Sequence, residues 1–363
     1  MRYYLAPLEG TTGYIYRNAV RDCFGEGIDK YFTPFIAPHP KRAFSPQELA
    51  DVFPENNRGL YLVPQILTSS AADYLRFEKA AMELGYREIN INMGCPSGTV
   101  ASKGRGSGFL ARPEELERFL DEVFAKASCR VSVKTRIGSQ DPEEFPRLLE
   151  IYNRYAMEEL IIHPRVRREM YTGTVHMDVY RYAQQHSRNR LCYNGDIVAA
   201  DGQPYPLQAL AEPVQPEVER CKGERSCGEG AVREAAQLSS EAEGAAYGSP
   251  AGCSSGAGGC ATAQTEAVMV GRGMVADPSL IRQLRGGAPA SREEFTAFLM
   301  RLREDYTAAY SGERNVLHRL KEIWAFMGPH YPKAQAELKT LMKAESLEVY
   351  KVAARRVLQT MEY

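Results

Sequence analysis

Eight short apolar runs punctuate the first three quarters of the chain: Tyr3 to Pro7, Lys30 to Ile36, Leu60 to Ile66, Glu88 to Asn92, Val131 to Arg136, Leu160 to His163, Arg190 to Asn194 and Ala267 to Gly271. Their length and bounding glycines, prolines and polar residues read as buried strands. Between most of them lie helix-like stretches. Apolar residues recur at helical spacing from Ser69 to Leu84. Two further helices open on proline and acids, Arg112-Pro113-Glu114-Glu115 and Asp141-Pro142-Glu143-Glu144. Proline has no N–H to lose in the first helical turn, and carboxylates complement the helix dipole there. Strand and helix thus alternate eight times. That is the pattern of a (β/α)8 TIM barrel, although alternation alone does not exclude a doubly wound open sheet.

The polar and glycine residues favour the barrel. Pro7-Leu8-Glu9-Gly10, Gln65, Cys95, Lys134, His163, Asn194-Gly195-Asp196 and Gly271-Arg272-Gly273 all fall at or just after the C-terminal ends of separate strands. Barrel enzymes build their sites on that face. Each ending alone has a structural explanation: Gln65 satisfying a loop, Lys134 snorkelling, His163 hydrogen-bonded in the core. Seven together point to a site. From about Ser291 the pattern changes to long amphipathic helices. Ser291-Arg292-Glu293-Glu294 resembles an N-cap with early acids, and Phe295, Phe298, Leu299 and Leu302 share one helix face. Further helices are expected around Asn315 to Phe326, Ala334 to Lys343 and Leu347 to Met361. The expected division is a barrel over 1–290 and an all-helical domain over 291–363.

Composition bounds this picture. A chain of 363 residues, 44% hydrophobic and 25% charged, can bury one large core plus an appendage. No run of eighteen apolar residues occurs and Met1-Arg2-Tyr3-Tyr4 leads straight into a strand, so neither a signal peptide nor a membrane span is expected and a cytoplasmic location is the default. The eight cysteines show no Cys-x-x-Cys spacing, which speaks against a metal site and a disulfide framework. Net charge is −1, but it divides unevenly. Between Asp201 and Glu266 ten acidic and four basic residues give −6, leaving +5 on the remainder, a surplus that permits RNA binding without implying it. The segment at about 203–264 is rich in Gly, Ala, Ser and Glu, includes Ser254-Ser255-Gly256-Ala257-Gly258-Gly259, and lacks sustained periodicity. Such composition predicts a largely disordered insertion.

The chemistry is expected at Asn90-Ile91-Asn92-Met93-Gly94-Cys95-Pro96. Gly94 and Pro96 end the strand and leave Cys95 on a rigid turn at its C-terminal end. A thiol of ordinary pKa, roughly 8.5, is mostly protonated near neutral pH and competent as a general acid. A cysteine is more commonly a small buried hydrophobe. Against that stand the asparagines flanking Ile91, costly on a buried strand unless hydrogen-bonded, and the glycine-rich polar loop from Ser97 to Gly108. The turns at Asn194-Gly195-Asp196 and Gly271-Arg272-Gly273 follow strands seven and eight, where barrels often bind phosphate. Lys134 could place positive charge beside an electron-rich cofactor ring.

These motifs, with Leu5-Ala6-Pro7-Leu8-Glu9-Gly10, Val133-Lys134-Thr135-Arg136, His163-Pro164-Arg165, Tyr171-Thr172-Gly173, Tyr193-Asn194-Gly195-Asp196-Ile197 and Val270-Gly271-Arg272-Gly273, resemble the tRNA-dihydrouridine synthases, in the family's order to about Leu284. The resemblance implies an FMN-dependent barrel that uses NADPH to reduce a uridine of tRNA to 5,6-dihydrouridine. Cys95 would donate the proton to C5 after hydride passes from flavin N5 to C6. Gln65 and Lys134 would contact the isoalloxazine, with His163 beside it. The turns at Asn194, Gly195 and Asp196 and at Gly271 and Arg272 would hold ribityl and phosphate. Pro7, Leu8 and Glu9 complete the expected cofactor set, and Asn92 and Arg165 would meet the substrate. The helical domain would contact tRNA, with Arg314, Arg319, Lys321, Lys351, Arg355 and Arg356 as candidate phosphate partners. Pro164 stands where the family usually has glycine. The competing readings are a flavin barrel enzyme acting on a free pyrimidine or enone, which would not need the helical domain, and a non-catalytic tRNA-binding protein, which would not need Cys95 and Lys134.

Overall fold

The computed structural model describes residues 1–25, 27–39, 41–197, 207, 210 and 265–360. The expected insertion at 203–264 lies outside these residues, apart from Leu207 and Leu210. Leu210 is buried, and its carbonyl accepts a hydrogen bond from Gln184 Nε2 at 3.0 Å.

Strands β1 (Arg2–Leu5), β2 (Lys30–Phe32), β3 (Leu62–Val63), β4 (Gln65–Ile66), β5 (Glu88–Met93), β6 (Arg130–Arg136), β7 (Leu160–His163), β8 (Leu191–Tyr193) and β9 (Thr265–Val270) form one sheet. Their order is β3-β2-β1-β9-β8-β7-β6-β5-β4, and every pair is parallel. The two ends of that order, β3 and β4, are halves of a single run divided at Pro64, which has no N–H for a ladder. β3 pairs with β2 and β4 with β5, while the Pro64 carbonyl accepts from Asn90 N at 2.9 Å. The sheet therefore closes on itself. The protein is a TIM barrel, and the open-sheet alternative is excluded.

Side-chain alternation explains the layers. Ile89, Ile91 and Met93, with Val131, Val133, Leu160 and Ile162, point outward into the core beneath the helices. The helix Pro113–Lys126 meets this core with Leu116, Phe119, Leu120 and Val123 at helical spacing, each contributing roughly 1.5–3 kcal/mol on burial. Inward-facing Tyr4, Ala6, Phe32, Val63, Ile161, Cys192, Ala267 and Met269 fill the barrel itself. Towards its N-terminal end the filling is ionic: Lys30 Nζ lies 3.0 Å from Glu88 and 3.1 Å from Glu159. Such buried charges persist because each is paired.

The C-terminal helices are Arg292–Ala309, Glu313–Met327, Gln335–Lys343 and Leu347–Gln359. The first begins with a capping box, Ser291 Oγ accepting from Glu294 N and the Glu294 carboxylate from Ser291 N. Phe298 packs edge-on against Tyr16 and Phe24 of the helix Tyr14–Phe24. Arg319 donates to the Gly10 carbonyl at 2.8 Å, tying the helix Glu313–Met327 to the loop after β1. Among the described residues no helix is long and apolar enough to cross a membrane.

Candidate active site

The C-terminal mouth of the barrel holds a cleft. Its lining includes Pro7, Leu8, Glu9, Gln65, Asn92, Cys95, Lys134, His163, Asn194, Gly195, Asp196, Gly271 and Arg272. Thus the candidate residues read from the separate strand ends converge on one place, with Arg165 behind it, buried beneath Asp196. The lining also includes Phe35, Arg136 and Tyr171, to which the sequence reading assigned no role.

Cys95 is half-buried, and its turn is held from several directions. Asn92 Oδ1 accepts from the backbone N–H groups of Gly94 and Cys95, both at 3.0 Å. Arg136 Nε donates to the Gly94 carbonyl at 3.0 Å, and Ser107 donates to the Cys95 carbonyl through N and Oγ. A Cβ on Gly94 would meet nothing closer than 3.6 Å. The turn is rigid because of these hydrogen bonds rather than because of Gly94. At Gly106 glycine is needed: φ is +55°, and a Cβ would stand 2.8 Å from the Cys95 carbonyl oxygen. Burial pushes the Cys95 thiol pKa up, against a Ser97 backbone hydrogen bond and the cations Lys134 and Arg136 that draw it down. At neutral pH it is a protonated thiol.

Lys134 rises from β6 beside it. Burial, helped by Arg136, lowers its pKa to about 8, and it forms no hydrogen bond or ion pair with another described residue. His163 is held neutral, its pKa well below the usual range because of burial and then Arg136, Lys134, Arg165 and Arg272. Arg165 Nη1 lies 3.4 Å from His163 Nε2. A cation donating there suits an imidazole nitrogen that accepts.

The two glycine turns meet over Asp196. Its carboxylate takes Arg165 at 2.8 Å and Arg272 at 2.7 Å on the same oxygen, and Arg165 again on the other. Arg272, read as a phosphate ligand, is thus also a strut between the strand ends of β8 and β9. A Cβ on Gly273 would lie 2.1 Å from the Ile197 carbonyl oxygen, so only glycine allows the turns to approach. Asn194 Nδ2 donates to the Met269 carbonyl at 2.8 Å, locking β8 to β9.

Tyr171 reaches the cleft on the loop after β7. Arg136 donates to the carbonyls of Val166 at 2.9 Å and Met170 at 2.6 Å, and Met170 has φ +54°. The Tyr171 ring then stacks near His163 with guanidinium groups of Arg136 and Arg272 at 5.3 and 4.8 Å from its centroid. The lining carries Lys134, Arg136 and Arg272, with Arg165 behind them, against the carboxylates Glu9 and Asp196, so the cleft favours an electron-rich or anionic ligand. Among the described residues no group of His, Cys, Asp or Glu is arranged to hold a metal ion.

A family model described as dihydrouridine synthase matches residues 4–205. The chain belongs to the dihydrouridine synthase family. It is 29% identical over 181 residues to a probable tRNA-dihydrouridine synthase of Staphylococcus epidermidis, covering 49% of this chain and 54% of the relative. It is 30% identical over 181 residues, with the same coverage, to the probable tRNA-dihydrouridine synthase 2 of Bacillus subtilis. With a Staphylococcus aureus relative of similar name the identity is 29% over 205 residues, 54% of this chain and 60% of the relative. The chain thus spans about half the length of the curated relatives it matches. Cys95, Lys134, His163 and Asp196 fall inside the matched span, whereas Gly271 and Arg272 fall outside it. Their place in the site follows from β9 pairing between β8 and β1.

Proposed function

We propose that this protein reduces uridines of tRNA to 5,6-dihydrouridine, with FMN bound in the cleft and NADPH as reductant. The observation that carries the reading is a protonated thiol, Cys95, beside a half-buried ammonium, Lys134, with no partner among the described residues, at the mouth of a dihydrouridine synthase barrel. The cleft fits the cofactor. Lys134 supplies positive charge for an electron-rich ring, Gln65 offers an amide, and the Asn194–Asp196 and Gly271–Gly273 turns offer close backbone approach for ribityl and phosphate. Bound there, FMN would supply the hydride for reduction of the uracil ring.

The chain's own part is the proton. Cys95 donates it to C5, so that the C5=C6 double bond is consumed and a thiolate remains. Lys134 and Arg136 stabilise that thiolate until water returns the proton. Neutral His163 and the Tyr171 ring shape the cleft above them. A uridine inside folded RNA reaches such a cleft only when unstacked. The C-terminal helices then carry the contacts to tRNA. Arg319, Lys321 and Lys351 are engaged within the protein, by Gly10 and Glu322, by Ala344, and by Glu348. Exposed Arg314, Arg355 and Arg356 form no hydrogen bond or ion pair with another described residue and are the better phosphate partners.

The test is direct. Purified protein should be yellow or become so with FMN, release FMN rather than FAD on denaturation, and form dihydrouridine in tRNA with NADPH. A colourless protein that cannot be reconstituted refutes the reading. Flavin-dependent reduction of a free enone without any product in tRNA would favour the small-molecule alternative.

A further inference from the structure

We infer that Glu88, Ser132 and Asn90 are positioning residues that lock the amides of Gln65 and Asn92 so that each presents an N–H, never a carbonyl, to the cleft. The inference rests on the reading of that cleft as an FMN site. A column of hydrogen bonds runs up the inside of the barrel. Ser132 Oγ donates to Glu88 at 3.1 Å, Asn90 Nδ2 to Ser132 Oγ at 2.9 Å, and Gln65 Nε2 to Asn90 Oδ1 at 2.8 Å. Asn92 Nδ2 donates to Gln65 Oε1 at 2.7 Å, and Asn92 Oδ1 receives the backbone N–H groups of Gly94 and Cys95.

Both ends dictate one direction. At the top, backbone N–H groups can only donate. At the bottom, the Glu88 carboxylate, with Lys30 on both oxygens and the Tyr61 hydroxyl at 2.9 Å, accepts. Ser132 has a single proton, which goes to Glu88, so its neighbour must donate to it. Each amide between is thereby oriented without appeal to its own shape. Turning either Gln65 or Asn90 over would oppose like groups on both sides, with about 1–3 kcal/mol lost for each buried group left unsatisfied. Every amide nitrogen in the column uses one hydrogen there and keeps a second. Gln65 and Asn92 both line the cleft, so their spare hydrogens select ring edges that accept, such as the carbonyls of a flavin or of a uracil.

Two isosteric substitutions test this. Ser132→Thr keeps the hydroxyl and Ser132→Val removes it, with nearly the same shape. Ser132→Val leaves Asn90 without its acceptor and holds Gln65 from one end only. We expect Ser132→Val to bind FMN about 2- to 10-fold more weakly, the worth of a single hydrogen bond, and to shift the flavin absorption bands. Ser132→Thr should retain the affinity and spectrum of the parent. Affinity is read from quenching of FMN fluorescence, and apoprotein melting temperature separates lost folding from lost positioning. Should Ser132→Val fail to fold, Ser132→Ala, which removes the hydroxyl without adding volume to a fully buried site, should weaken FMN in the same direction. Equal FMN affinity and identical spectra for folded Thr and Val variants, or an unaltered Ser132→Ala, overturn the proposal while leaving the flavin reading intact. Failure of the parent protein to bind FMN overturns both.

Discussion

Replacing Cys95 by alanine separates the two halves of the proposed reaction. The turn should survive, because its hydrogen bonds come from Asn92, Arg136 and Ser107 to backbone atoms that alanine retains. FMN binding and flavin reduction by NADPH need no thiol and should stay near the parent values. Proton delivery to C5 does need one, so dihydrouridine formation should fall by about 10²- to 10⁴-fold, or about 3–5 kcal/mol of transition-state stabilisation. Cys95→Ser should rescue little, a hydroxyl being a much weaker acid than a thiol. The pH profile adds a second arm. Burial raises the Cys95 pKa, so the donating form persists through neutral pH and is lost only on the alkaline side. Lys134, titrating at about 8, withdraws the neighbouring charge over the same range. Anaerobic flavin reduction and dihydrouridine content of tRNA would be measured on the same preparations from pH 6 to 10. Near-parental dihydrouridine formation by Cys95→Ala would remove this residue from the mechanism and reopen the choice of acid.

Lys134→Met should weaken FMN at least tenfold, measured by fluorescence titration, while leaving the apoprotein as stable as the parent or more so, because a half-buried ammonium with no partner among the described residues opposes folding. The same group makes parental stability rise with pH: its folded pKa of about 8 lies below the ordinary 10.5, so the folded state is penalised below pH 8 and relieved between 8 and 10.5, by about 3 kcal/mol in urea melts of the apoprotein. Asp196→Ala should cost about 1–3 kcal/mol in the same assay, since it strands buried Arg165, and should weaken FMN by freeing the two turns. Gly273→Ala should destabilise by about 1–3 kcal/mol and impair FMN uptake, because its Cβ would be driven against the Ile197 carbonyl; unaltered melting and uptake would show the turns to be more compliant than argued.

Much of this site could be read one strand at a time. Period-two alternation in Glu88–Met93 already separates Ile89 and Ile91 from Asn90 and Asn92, and short apolar runs ending in polar residues or glycine mark the catalytic face of a barrel wherever they occur. The helix starts were equally local: Ser291 with Glu294 is a capping box in sequence and in space. What fell outside that reading lacks a local signal. Pro64 splits one run into two ladder partners, which becomes visible only when β2 and β5 approach from opposite sides. Arg136 and Tyr171 enter the cleft from a strand end and a loop held together through the Gly94, Val166 and Met170 carbonyls, and Phe35 enters from the loop after β2.

By itself, then, the sequence determined which residue types stand at the strand ends, because side-chain period and turn chemistry are properties of a few consecutive residues. Only the tertiary structure decided their partners. Arg272 and Arg165 share Asp196 instead of standing free, and Arg319 and Lys321 are tied to backbone carbonyls. The asparagines of β5 find their acceptors and donors on β4 and β6. The physical reason is that a hydrogen bond or ion pair depends on ångström-scale distances between residues far apart in the chain, and closure of the barrel is what sets those distances.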